Sequence, residues 1–124
     1  MNKKNTPLFA LGFIFITISV WQIYMTQIGL SVISMDAANP PVTIIMPSNV
    51  TSPSRPTVLI AHGLAASSEI MRGFALTLAH AGYTTVSWDF LGHGANPLSW
   101  DLSADPNALL LEADSALSVA ESTG

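Results

Sequence analysis

Hydrophobic and polar positions divide the chain into unlike zones. From Asn5 to Met35 there is no charged residue. Inside that run, Leu8 to Tyr24 reads "LFALGFIFITISVWQIY", and apolar character continues to Ile33. A bilayer core of ~30 Å needs about 20 such residues as a helix. The pattern predicts a membrane span within residues 8–33, part of an N-terminal segment 1–36. A buried soluble helix fits less well, because the run is apolar all round rather than along one stripe. A cleaved signal peptide is the competing reading. Its core runs ~7–15 residues and ends at a small-x-small site. Here the core is longer, and Ala37-Ala38 has Met35 or Asp36 at the −3 position. The pattern favours an uncleaved anchor; cleavage would make the protein secreted.

A second zone, residues 37–56, is dense in Pro and Ser. "VTII", Val42 to Ile45, reads as a short strand between proline breaks, and Ser48 to Pro56 as a loop. Asn49-Val50-Thr51 matches a glycosylation sequon, a triplet frequent by chance and read here as solvated loop.

The third zone, 57–124, is regular. "TVLIA", Thr57 to Ala61, lacks alternation and reads as a strand buried on both faces, as in a parallel sheet. Ser67 or Ser68 can cap a following helix. Met71, Phe74, Ala75 and Leu78 supply its apolar face, Glu69 suits its dipole, and Gly82 is placed to end it in the left-handed conformation. "TTVSW", Thr84 to Trp88, is the next strand. The 22 residues between Ala61 and Thr84 are enough for a βαβ crossover. A second helix follows, with Asp105 as cap and Pro106 at its first position. Leu110, Ala113, Leu117 and Ala120 form its expected buried stripe. The expected architecture is α/β: a β-α-β-α parallel sheet behind an N-terminal transmembrane helix. Three strands and two helices would leave an open sheet edge, which reads as a truncated domain.

Charge orients the span. Lys3 and Lys4 precede it, and no basic residue follows until Arg55. The positive-inside rule places the N-terminus in the cytoplasm and the domain outside, with Trp21 and Tyr24 toward the outer interface. Beyond the anchor, two Arg face eight acids and no Lys occurs after Lys4. Nothing there attracts a phosphate backbone, so nucleic acid is not an expected partner. The chain has no cysteine, which removes thiolate metal sites, a Cys nucleophile and disulfides.

Two stretches carry residue types that active sites use. In "LIAHGLAASS", His62-Gly63 follows a buried strand, and strand ends are where parallel sheets bind ligands. Gly63 lets backbone N–H groups face a ligand, and those around Leu64 could stabilise an oxyanion; a tight turn with a hydrogen-bonded His explains the stretch equally well. "WDFLGHGANP" also follows a strand. Asp89 can accept from N–H groups two or three residues on, and Gly92 and Gly94 suit positive φ. "GHGANP" has Pro97 where a dinucleotide-binding loop needs Gly or Ala, and no P-loop occurs. His62, His80 and His93 lack metal-site spacing, so neither a metal nor a cofactor is expected.

Together, "VLIAHGLAASS…MRGFALTLAHAGYTTVSWDFLGHGANP" resembles the N-terminal part of α/β-hydrolase-fold serine hydrolases. The nearest groups are dienelactone-hydrolase-like, monoacylglycerol-lipase-like and serine-aminopeptidase-like. The resemblance rests on His62-Gly63, Ala81-Gly82-Tyr83 and the D-x-x-G-x-G run from Asp89 to Gly94, and covers about Thr57 to Gly124. It implies an oxyanion loop at His62, Gly63 and Leu64, and a structural turn near the site at Asp89, Gly92, His93 and Gly94. It also implies a small ester, amide or peptide substrate and acyl transfer to water. Departures matter. No serine has glycine at both −2 and +2, as the G-x-S-x-G elbow requires. Chain order in this fold is Ser, then acid, then His, so no catalytic residue is expected in the chain and all three belong beyond Gly124. "ANPLSW" replaces the small polar residue and Gly or Ser that often follow. The expected function is the N-terminal part of a membrane-anchored serine hydrolase, inactive by itself. The alternative is a non-catalytic, membrane-tethered binding module on a degenerate hydrolase scaffold.

Overall fold

A computed structural model of the chain defines residues 6–36, 38–49, 55–99 and 107–123. Helix α1 spans Thr6–Met25. Strands β1 (Leu30–Met35), β2 (Val42–Pro47) and β3 (Thr57–Ile60) follow, then α2 (Ser68–His80), β4 (Thr84–Trp88) and α3 (Ala108–Thr123).

The long apolar run is divided, correcting the expectation that the span reaches Ile33. The helix stops at Met25, and Leu30–Met35 is a strand. Gly29 makes the break at φ +81, a conformation open to glycine at little cost, and its carbonyl accepts from the Ser48 N–H at 2.8 Å. In "LSVISM", Leu30 and Val32 point to the same face and pack on the Ile45, Ile60, Ala75 and Ala79 cluster.

The sheet is mixed rather than all-parallel. Its order is β1-β2-β4-β3. β2 runs antiparallel to both β1 and β4, while β3 and β4 are parallel. Val42, Ile44, Val86 and Trp88 face α3 through Ala116 and Ala120. On the other face, Ile45 and Ile60 meet α2 through Ala75 and Ala79. β4 is buried along its whole length. Its polar positions on the α2 face are satisfied within the sheet: the Thr85 hydroxyl donates to the Ile45 carbonyl at 3.1 Å, and Ser87 to Thr43 at 3.4 Å.

Both helices present alanine, not their larger residues, to the sheet. On α2, Ala75 and Ala79 are buried, Met71 and Leu78 are half-buried, and Phe74 is 66% exposed. On α3 the buried positions are Glu112, Ala116 and Ala120. Ala113 is half-buried, and Leu110 and Leu117 are exposed. Each stripe is therefore turned from the one periodicity suggested. A methyl side chain lets a helix axis approach the strands closely, and α3 is further fixed by Glu112, which reaches inward to polar partners. The expected Asp105 cap and Pro106 start lie outside the described residues; the first α3 amides, of Leu110 and Leu111, donate to the Asn107 carbonyl. Gly82 follows α2 at φ +99, as the sequence suggested.

Ala79→Leu should overpack the α2 interface and destabilise the fold by about 1–3 kcal/mol. Phe74→Ser should change stability by less than about 0.5 kcal/mol. Urea unfolding of the detergent-solubilised chain, followed by tryptophan fluorescence, compares the two.

Candidate active site

β3 and β4 are parallel neighbours, so their C-terminal ends lie side by side, with Ile60 paired to Ser87. The two loops that leave them form one surface. Loop 61–67 leads to α2, and loop 89–98 carries the D-x-x-G-x-G run.

Asp89 joins the two. It is 4% exposed. Its Oδ1 accepts from the Ser68 N–H at 2.6 Å and its Oδ2 from the Ala95 N–H at 2.8 Å. The first bond caps α2 from across the site. Ser67, at the N-cap position, makes no side-chain cap, so the serine cap expected from the sequence is replaced by a carboxylate 21 residues later. Such a charge at a helix N-terminus is stabilised by both the free N–H groups and the dipole. The second bond spans six residues, longer than the two or three anticipated. Gly94 makes this possible: its φ is +52, and a Cβ there would collide with the Asp89 carboxyl group. Gly92 also has positive φ, +71.

His62 is buried beside Asp89. Its Nε2 accepts from the Phe90 N–H at 3.1 Å, so that nitrogen carries no proton. Nδ1 donates to the Gly63 carbonyl at 2.9 Å. The 3.8 Å approach of Nε2 to Asp89 Oδ1 is then a contact between two acceptors rather than an ion pair. The His62 ring also meets Phe90 edge-on, with centroids 5.2 Å apart.

His93 performs a matching task on the same loop. Its Nδ1 donates to the Leu91 carbonyl at 2.8 Å, and its Nε2 accepts from the Ala65 N–H at 3.2 Å. Ala65 is held at φ +59, a left-handed conformation that costs a non-glycine residue roughly 1–3 kcal/mol. The neighbouring Leu64 N–H is paired with no acceptor among the described residues. His62, Gly63, Leu64, Phe90, His93 and Leu109 line a cavity of about 220 Å³. It is mainly apolar, with a backbone donor at its rim.

Two site-building residues escaped the sequence reading. Glu112, buried on α3, accepts from the Leu91 N–H at 3.0 Å and the Asn96 side-chain amide at 2.8 Å. The same Asn96 Nδ2 donates to the Asp89 carbonyl at 2.9 Å. The only available signal for Glu112 was an acid set directly after the three leucines in the first turn of α3. Among the described residues no cluster of His, Asp or Glu could hold a metal ion.

Residues 52–112 match the family described as Serine aminopeptidase, S33. Among solved structures, a thioesterase domain from the curacin biosynthetic pathway superposes with TM-score 0.50 at 22% identity, covering 72% of this chain and 31% of that one. The chain has the α/β-hydrolase fold. A membrane phospholipase A (TM-score 0.46, 24% identity, 90% of this chain and 36% of that one) is also similar. So is an epoxide hydrolase from Vigna radiata (TM-score 0.47, 17% identity, 73% and 29%). The chain thus spans about a third of the length of the solved structures it matches. No curated protein matches it in sequence. The His62–Gly63 loop lies between β3, at the edge of the described sheet, and α2.

Asp89→Ala should leave the Ser68 and Ala95 N–H groups unpaired and cost about 1–3 kcal/mol for each group that stays buried, read by urea unfolding. His93→Phe keeps a ring but removes the acceptor. Amide exchange at Ala65 should accelerate while the Phe90 amide, held by His62, keeps its rate; NMR of the labelled chain in micelles measures both.

Proposed function

We propose that the chain is the N-terminal part of a membrane-anchored serine hydrolase that cleaves ester or amide bonds by acyl transfer to water. The observation that carries this reading is the unpaired Leu64 N–H at the rim of an apolar cavity, in the loop where α/β hydrolases place an oxyanion donor. A carbonyl seated there becomes an oxyanion when a nucleophile adds to it. One backbone donor aimed at that charge is worth roughly 3 kcal/mol of the barrier. His62, Asp89 and His93 act as positioning residues, since the ring and carboxylate atoms already hold backbone groups. The nucleophilic Ser, its acid and its His come from sequence beyond Gly124, and the chain alone is inactive.

Helix α1 serves as the anchor. Its 20 residues make ~30 Å at about 1.5 Å each, the thickness of a bilayer core. Its side-chain hydroxyls at Thr17 and Ser19 donate to the Phe13 and Phe15 carbonyls four residues back, as a low-dielectric surrounding demands. The lysines at its start keep the N-terminus cytoplasmic and put the domain on the outer side.

The purified 124-residue chain should show no turnover of p-nitrophenyl esters. Turnover that disappears when one of its own serines is replaced would overturn the placement of the nucleophile. For topology, an impermeant thiol-directed reagent should modify a single-cysteine domain on intact cells. Protection there that is lost on opening the cells would reverse the orientation.

A further inference from the structure

The span and the candidate site sit at opposite ends of the sheet. β1 begins at Leu30, with only four residues between it and the last residue of α1. Leu30 pairs with Pro47, Ile45 with Thr85, and Thr84 with Thr57. These residues form the base of the domain. At the other end, Met35 pairs with Val42 and Val42 with Trp88. His62, Asp89 and Phe90 follow directly from strands that end there. Along β1 the two ends are separated by six residues, ~20 Å at about 3.4 Å each.

The base is tied to the end of the span. The Thr26 carbonyl lies 2.9 Å from His80 Nε2, at the C-terminal end of α2. The Gly29 carbonyl accepts from Ser48, just after β2. Arg72 reaches back to the Gln27 side chain at 3.4 Å. Helix α2 thus runs from the site, where Ser68 meets Asp89, to the base, where His80 meets the turn. Helix α1 itself does not fold back along the domain: none of its apolar window is buried against it.

Resting on the reading of α1 as a membrane anchor and of the loop pair as a hydrolase site, we infer that the site opens away from the bilayer and takes a water-soluble ester or amide. A lipid held in the bilayer would need its carbonyl to travel past the base and the length of the sheet to reach Leu64. A substrate arriving from the aqueous phase meets the cavity of His62, Leu64, Phe90 and Leu109 first.

The absence of cysteine permits a direct test. Ser48→Cys marks the base and Ala95→Cys the site end; both side chains are exposed. Each single-cysteine chain is labelled with an environment-sensitive dye and reconstituted into phosphatidylcholine vesicles whose headgroups carry a spin-label quencher. The dye at position 48 should be quenched severalfold more than the dye at position 95. Equal quenching at both positions overturns the inference. No quenching at either, with the chain failing to float with the vesicles, overturns the anchor reading as well. The product of the complete reading frame, in the same vesicles, should cleave a soluble short-chain ester faster than the phospholipid of the vesicle. Preference for the phospholipid sinks the substrate assignment. Turnover of neither, with the dye pattern as expected, sinks the hydrolase reading and the substrate assignment while leaving the orientation standing.

Discussion

One buried carboxylate organises this domain. Asp89 terminates the central strand β4 and spends its two oxygens on backbone groups from two other places, the first turn of α2 and the turn after Gly94. Without it the helix start, loop 61–67 before it and the glycine turn would be separate surface features. With it they form a single rigid rim. The interaction suits this position because a helix N-terminus offers unpaired donors and a favourable field at once. The burial of Asp89 keeps solvent from competing for them. The consequence reaches further through the Asp89 carbonyl, Asn96 and Glu112, which bring α3 into the same network from the opposite face of the sheet.

The elements of the βαβ unit were legible because local chemistry and tertiary role agree there. An unbroken apolar run marked β3, and Gly82 marked the end of α2. Both glycines of the D-x-x-G-x-G run hold the positive φ that their identity suggests. What stayed hidden depended on partners distant in sequence. The cap of α2 is a residue 21 positions away. β1 was masked by a neighbouring apolar helix, and the break between them rests on the single residue Gly29. The helix faces were misread because large apolar residues usually mark the core, whereas here alanine does so and Phe74, Leu110 and Leu117 remain outside. Glu112 was passed over for the converse reason, since an isolated acid on a helix is usually solvated.

Asp89 and His93, which the sequence resemblance placed in a structural turn rather than in the catalytic set, hydrogen-bond to backbone groups of loop 61–67, α2 and their own turn. Each is committed to holding backbone in place. In the proposed hydrolase reading their contribution is preorganisation: a donor aimed at a developing charge helps most when nothing must move to make the contact. The left-handed Ala65 fits this view, because its strained backbone persists only where surrounding contacts over-determine it. His93 is one such contact.

The turn between α1 and β1 has a mechanical meaning. Many anchored domains hang on long linkers and sweep a volume above the bilayer, with a reach that grows with linker length. In the proposed reading of α1 as an anchor, four residues, 26–29, pinned to α2 and to the end of β2, replace the tether. A domain mounted this way patrols a plane rather than a hemisphere. Its encounters are then governed by lateral diffusion and by the height of its mounting, and any tilt of the span is transmitted to the sheet as a lever.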